Sequence, residues 1–566
     1  MKRILQRLVP GPKKGILTSG HCRWEAAVLS REQVRDMDPE GYRLIITDSS
    51  IRIEATGEKG FHMAEQTLRQ LRLLTEATCP CLEIEDEPAL SIRGYMLDIS
   101  RCKVPTMDHL FRIVDLLALF KYNQLQLYME HTFAYRGHEA VWQDASPMTE
   151  SDLGELKAYC AERHIELVPN QNAFGHMDRW LRHDDYYHLA ECPHGFEHPQ
   201  AGWKSNGSVL CPDKASLEFV GGLLDQLLPC FDSDWVHLGC DEPWELGQGR
   251  SESRVLEAGR HAIFHEYVTG LNRLLDKRGK RMMFWSDELR EEPGRIKEFP
   301  ESMVPVVWGY ERDHPFDEEC QVYGDADREF IIAPGDSSWN SHSARLDTAF
   351  PNIRRAALCA QKQGALGLLL TSWGDNGHQQ VWPAQLGGLV MCSAAAWNPS
   401  SIDELDLADA LSRFVFRDST NALGQFWHDF GQLDTRVPVS ISPLNSSFSY
   451  DALYAPDAKI HHALKSQPKD CLFPAFDWLG RCQKELARAK PSADDAKWVL
   501  DESLLAMDMA LGGLRRAEAI LKGEPPESAL SDWPSVVDRF TEVWLRRNRP
   551  GGLEESRDAL EGHARP

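Results

Sequence analysis

No apolar run in this 566-residue chain is long enough to cross a bilayer, which takes about 20 predominantly apolar residues. The stretch Met1–Pro10 has basic residues but no apolar core of the kind a secretory leader needs, so no leader is expected. Positive charge is scarce: 62 Lys and Arg stand against 86 Asp and Glu, for a net charge of −24. That balance argues against nucleic acids and anionic membranes as partners. A His-Glu-x-x-His run is missing, and Cys79-Pro80-Cys81 is too tight for the usual zinc spacing. The fourteen cysteines are scattered, with Cys160, Cys359 and Cys392 in apolar runs. They read as reduced core thiols of a cytoplasmic protein, where the sequons at Asn206 and Asn445 carry no glycan.

What is present is a soluble globular composition, 42% apolar and 26% charged. The length predicts roughly two to four domains. From residue 1 to 88, strands at Tyr42 to Ile46 and Ile51 to Ala55 precede a helix with Phe61, Ala64, Leu68 and Leu71 on one face. This reads as a small α+β domain, with Glu83 to Pro88 as its exit linker. From residue 89 to 400, short apolar strands alternate with helical sequence. The strands are expected at 94–97, 124–128, 165–168, 235–239, 282–285, 304–308, 330–332 and 366–370. Strand–helix alternation on this scale predicts a (β/α)8 barrel, which places functional groups where strands end. Residues 401–566 read as a helical C-terminal domain that packs on the barrel or on a second subunit, giving a homodimer. Its stripe Leu500, Leu504, Met507, Leu511 and Leu514 is read as core, and the polar tail from Pro550 is expected to fray.

The strand exits are rich in carboxylates and tryptophan. Flat apolar faces with a few acids suit a sugar, whose ring stacks and whose hydroxyls donate. The fullest case is Trp235-Val236-His237-Leu238-Gly239-Cys240-Asp241-Glu242, an apolar run ending in two adjacent acids. Paired carboxyls push each other's pKa apart, so one can remain a general acid while the other stays charged. Neighbours on a strand point to opposite faces. Both acids therefore serve one pocket only if the strand ends and the backbone turns, which Gly239 and Pro243 favour.

His237-Leu238-Gly239-Cys240-Asp241-Glu242 resembles the His-x-Gly-x-Asp-Glu signature of the β-N-acetylhexosaminidases, glycoside hydrolase family 20. Arg93 to Arg101 resembles that family's first barrel strand, and Val168 to His176 its third. The resemblance covers the first domain and the barrel, and is closest to the smaller intracellular bacterial members. It implies exo-acting removal of terminal β-linked N-acetylhexosamine from an amino-sugar glycan, retaining and without cofactor. The substrate's own 2-acetamido oxygen is the nucleophile, an exception to the two-carboxylate scheme. Carried over, Glu242 is the acid and base, and Asp241 holds the acetamido N–H. Arg93 binds the 3- and 4-hydroxyls, and His176 supports the acid. Trp285, Trp308 and Trp373 are aromatic walls. Glu130 and Asp375 each differ by one methylene from the acid usual at their place. Asn172 replaces an Asp and Phe174 a Pro before the Gly-His pair, and Ser341 replaces an Asp. The family's acetamido-contacting Tyr aligns with Trp339, so either the Trp339 indole or Tyr310 takes that contact. Two other readings stand beside this one. A metal-dependent hydrolase would use His176, His237 and Asp241 as ligands; a catalytically silent sugar-binding barrel would need a lost acid, yet Glu242 is present.

Overall fold

The computed structural model describes residues 4–199, 202–290, 292–442 and 445–562. The chain opens with a five-stranded sheet of β1 (Lys14–Arg23), β2 (Val28–Gln33), β3 (Tyr42–Ile46), β4 (Ser50–Ala55) and β5 (Thr78–Asp86). Its order is β1-β5-β3-β4-β2, with only β2 and β4 parallel. Alternating Leu44, Ile46, Ile51 and Ile53 bury one face beneath the helix Glu58–Leu74, whose Phe61, Ala64, Leu68 and Leu71 meet them. The expected linker 83–88 is mostly strand: Glu83 to Asp86 pair with β3 and β1 near the middle of the sheet. Its acids mislead because they alternate with buried residues, Glu83 and Glu85 outward, Ile84 and Asp86 inward.

Eight parallel strands then close a barrel: β6 (Ile92–Asp98), β7 (Gln124–Met129), β8 (Glu166–Gln171), β11 (Trp235–His237), β12 (Arg281–Trp285), β13 (Met303–Trp308), β14 (Ile331–Ala333) and β15 (Gly367–Ser372). A two-stranded ribbon, β9 (Phe196–His198) with β10 (Gly202–Lys204), stands in the long connection before β11. All eight barrel strands fall where the alternation predicts them. The barrel interior is packed by Met96, Tyr128, Met283, Val304, Val306, Ile331 and Leu369. The outer faces of the strands join the helices in the main core, which runs on into the C-terminal helices.

The last third is helical, with long helices Phe473–Arg488, Ala496–Lys522 and Trp533–Arg547. The stripe of Ala496–Lys522 is core except at Leu504, which is 42% exposed: Met507 and Leu514 are buried, Leu500 and Leu511 are half-buried against the core, and Ala506, Ala510, Gly513 and Ala517 extend the buried face. A Cβ on Gly513 would lie 1.9 Å from the Ser449 carbonyl oxygen. Backbone-to-backbone contact with the helix Phe448–Tyr454 thus selects small residues over large ones. Up to residue 562 the tail does not fray, and residues 563–566 lie outside the described residues. Residues Leu553–Glu561 form a helix that docks on the barrel loops through Gly551, Gly552 and Ser556. No helix among the described residues is long and apolar enough to cross a membrane.

Candidate active site

The strand β11 stops at His237, and the backbone turns at once: φ is +64° at Gly239, +69° at Cys240 and +46° at Glu242. Left-handed residues in quick succession break the strand alternation, which brings Asp241 and Glu242 to the same cavity of about 350 Å³. That volume is in the lower range of small-ligand sites. Such a backbone needs support. Asn172 Oδ1 accepts the Cys240 N–H at 3.3 Å, and Asp287 Oδ2 accepts the Glu242 N–H at 2.8 Å. A side chain on Gly239 would run into Asn172, so the glycine is fixed by space as well as by φ.

The two acids differ electrostatically. Burial pushes the Glu242 carboxyl above its ordinary range, with Asp241 and Asp375 adding to the effect and His176 opposing it. Asp241 moves down: burial alone would raise it, but His176 and the Asn172 amide outweigh burial. His176 Nε2 lies 3.0 Å from Asp241 Oδ2 and 3.5 Å from Glu242 Oε2. Burial disfavours its charge, yet Asp241 lifts it to about 10, so it is an imidazolium at neutral pH. Asn172 Nδ2 donates to the other Asp241 oxygen at 2.9 Å. In place of a relay through an Asp at 172, Asp241 is therefore clamped between an imidazolium and an amide. Asp287, half-buried beside the pair, is pushed up to about 7 by desolvation and by Asp241.

The cavity walls are Trp285, Trp308, Trp339 and Trp373, four rings from strands β12, β13 and β15 and the loop after β14. Trp285 and Trp373 have centroids 6.1 Å apart, and Trp308 stacks on Tyr310 at 5.2 Å. The Trp373 indole donates to the Tyr310 hydroxyl at 2.9 Å, and the Thr371 side chain also hydrogen-bonds that hydroxyl. Trp339 packs edge-on against Tyr310 with its ring 2% exposed. Asp375 lines the cavity. Glu130 lies behind it, receiving the Tyr128 hydroxyl at 3.0 Å and pushed up to about 7 by burial against the pull of Arg101. Ser341 is spent locally, donating to the Ala344 carbonyl at 3.2 Å.

Arg93 is a correction. It sits at the start of β6, so its side chain belongs to the end of the barrel opposite the cavity. Its guanidinium is 1% exposed, forked onto Glu40 at 3.0 and 2.7 Å and stacked on Trp397, where it fastens the first sheet domain to the barrel. The arginine that lines the cavity is Arg101, at the other end of the same motif. It contacts Asp98 at 3.0 Å and Glu130 at 3.2 Å, and lies over the rings of Tyr128 and Trp373. The barrel rule itself carried the signal, since Arg101 follows the strand and Arg93 precedes it. Glu311, Asn340, Asn376 and Asn445 also line the mouth without having been singled out. Asn445, from beyond the barrel, reaches Glu311 at 3.3 Å, and no local motif marks it. His237 is turned away from ligand duty, its ring against Trp285 at 4.4 Å and its Nδ1 accepting the Gly239 N–H. Among the described residues no cluster of three or more His, Cys, Asp or Glu side chains has metal-holding geometry.

Comparison with known proteins bears on these features. Residues 91–339 match the model of the glycosyl hydrolase family 20 catalytic domain, and residues 7–87 that of the family's domain 2. A β-hexosaminidase of Akkermansia muciniphila is 27% identical over 306 residues, which are 49% of this chain and 61% of that protein. One from Porphyromonas gingivalis is 28% identical over 285 residues, 44% of this chain and 36% of the relative. The matched region thus spans less than two thirds of either relative. The fold is like that of a family 20 exo-β-N-acetylglucosaminidase from Vibrio harveyi solved with N-acetylglucosamine, with TM-score 0.58, 16% identity, and 71% and 76% of the two chains covered. With two models of one family lying end to end over more than half of the sequence, and that family's barrel built from it, the chain belongs to glycosyl hydrolase family 20.

Proposed function

We propose that the protein is an exo-acting β-N-acetylhexosaminidase that retains anomeric configuration by substrate-assisted catalysis. The observation that carries this reading is the delivery of Asp241 and Glu242 into one tryptophan-walled cavity with opposite pKa displacements. Glu242, whose surroundings favour its protonated form, gives its proton to the leaving glycosidic oxygen. The acetamido oxygen of the same sugar attacks the anomeric carbon as that bond breaks. Asp241, ionised, accepts the acetamido N–H and faces the positive charge that develops on the oxazolinium ring, where a fixed carboxylate counts most. Glu242 then takes a proton from water as it opens the ring, which returns the β-configured sugar.

The remaining residues bind. Arg101 takes the role of donor to the ring hydroxyls, with Asp375 accepting from them and Glu130 holding Arg101 in place. Trp285, Trp308 and Trp373 wall the acetamido group, and the Tyr310 hydroxyl, fixed by the Trp373 indole at the cavity, is taken over the Trp339 indole as the contact for its oxygen. The substrate is an amino-sugar glycan. Fourteen free cysteines support a reducing compartment, the cytoplasm.

Two measurements test this. Hydrolysis of p-nitrophenyl β-N-acetylglucosaminide is expected and should survive dialysis against EDTA, because no step uses a Lewis acid; activity lost to the chelator and restored by zinc would instead favour the metal-hydrolase reading. Separately, Arg101→Ala should raise KM and the inhibition constant of free N-acetylglucosamine, and should also lower the melting temperature because it strands the buried Asp98 and Glu130 carboxylates. Arg93→Ala should lower the melting temperature and leave both constants unchanged, since it strands the Glu40 carboxylate in a buried pair whose breakage costs about 3–5 kcal/mol. A binding defect in Arg93→Ala that exceeds the one in Arg101→Ala would overturn the reassignment.

A further inference from the structure

The last described segment of the chain touches four of the loops that carry the site. Next to Arg101, it pairs with 104–106: Pro105 bridges Asn548, the Thr106 N–H reaches the Arg547 carbonyl at 2.8 Å, and the Arg549 N–H reaches Val104 at 2.8 Å. On the loop after Glu130, Arg549 donates to the Pro147 carbonyl at 2.7 Å, and the Gly551 N–H to Ser146 Oγ at 2.9 Å. On the loop after His176, Glu555 takes one Arg179 nitrogen on both its oxygens, at 2.6 and 2.8 Å. Two residues past Asp375, the Ser556 hydroxyl donates to the Gly377 carbonyl. The closest approach is at Gly552, φ +74°, where a Cβ would stand 2.0 Å from the carbonyl oxygen of Cys102, the neighbour of Arg101. The acid pair arrives by another route, on β11, with its backbone held by Asn172 and Asp287.

We infer that the segment Asn548–Glu561 is a positioning element for Arg101 and Asp375, acting through Gly552 and Ser556, so that it sets affinity for the sugar and not the rate of bond cleavage. The inference rests on the hydrolase reading above. The division follows from what Gly552 and Ser556 touch, Cys102 beside Arg101 and Gly377 near Asp375; the Glu555 contact to the loop after His176 is separate from both, and the Asp241 and Glu242 turn is anchored by Asn172 and Asp287. Contacts made equally in ground and transition states appear in KM and leave kcat unchanged.

Gly552→Ala forces the tail away from Cys102, and Ser556→Ala removes one bond without adding bulk. Each is expected to raise KM for p-nitrophenyl β-N-acetylglucosaminide, and the inhibition constant of free N-acetylglucosamine, by about tenfold or more, with kcat within about threefold. The pH profile of kcat should be unchanged, and Glu554→Gln, exposed on the same helix, should match the parent. If the segment were only a stabilising prop, both variants would lower the melting temperature and the fraction of active enzyme, so that kcat would fall at constant KM. That result, or KM unmoved in both variants, overturns the inference while leaving the hydrolase reading intact. A parent enzyme that neither cleaves the aryl glycoside nor binds N-acetylglucosamine sinks both.

Discussion

Glu242→Gln is expected to lower kcat roughly 10²–10⁴-fold on aryl β-N-acetylglucosaminides with poor leaving groups, the usual scale of a lost general acid. Where the leaving group needs no proton, the first step should be nearly spared. The pH profile follows with a definite sign. The Glu242 carboxyl is displaced upward, so its reactive protonated form persists to higher pH than an ordinary Glu allows. kcat/KM should fall as pH rises through that displaced value, and this limb should vanish in Glu242→Gln. Asp241 is displaced downward and is needed ionised, so the acid limb should appear only as pH falls through its lowered value. Asp241→Asn should slow every substrate alike. It should also release His176, whose pKa of about 10 is held up mainly by Asp241, so the imidazole resonance would titrate at lower pH in the variant. Equal leaving-group dependence in the two variants, or an unmoved His176, would contradict the separate roles.

A substrate with a plain 2-hydroxyl should turn over at least about 10³-fold more slowly than its 2-acetamido counterpart, because removing a positioned intramolecular reactant forfeits a large effective concentration. In the proposed roles no cavity carboxylate replaces it: Glu242 is the acid, and Asp375 accepts from the ring hydroxyls. Asp241 is held on one oxygen by His176 and on the other by Asn172, which suits it to accept an N–H and stay put, not to advance on carbon. Fluorinating the acetyl methyl weakens the carbonyl oxygen as a nucleophile, so rates should drop with each fluorine. A thiazoline shaped like the cyclic intermediate should bind far more tightly than substrate, since the site is built around that geometry. The decisive comparison is p-nitrophenyl β-N-acetylglucosaminide against p-nitrophenyl β-glucoside. Comparable rates, or a sugar trapped covalently on a carboxylate, would remove the acetamido group from the mechanism.

Local pattern carried the barrel and the acid pair. Eight apolar strands separated by helical sequence have few ways to bury themselves, and a closed parallel barrel satisfies them all. Gly239 and Pro243 around two adjacent acids marked a strand end, and the left-handed backbone at 239, 240 and 242 is what brings both acids to one side. The tryptophans were legible because they stand at strand exits, which all open on the same end of a barrel.

What the sequence could not decide depends on which surfaces meet. Arg93 and Arg101 lie eight residues apart in one motif, and only the strand between them puts one under the barrel with Glu40 and the other in the cavity. Glu83 to Asp86 looks like a linker until β1 and β3 cover its two edges. On Ala496–Lys522, Ala and Gly join Met507 and Leu514 on the packed face because a neighbouring backbone comes too close to Gly513 for a larger side chain. The polar tail is ordered because the barrel loops present carbonyls and an arginine that its own residues satisfy. Trp339 and Tyr310 are equal candidates in the sequence, and the fold brings both to the cavity, Tyr310 with its oxygen accepting from the Trp373 indole. Periodicity and chain punctuation are local, so they determined the elements and the acids. Pairing of distant polar groups and close backbone approach are non-local, so only the tertiary structure decided the arginine, the tail and the mouth of the site.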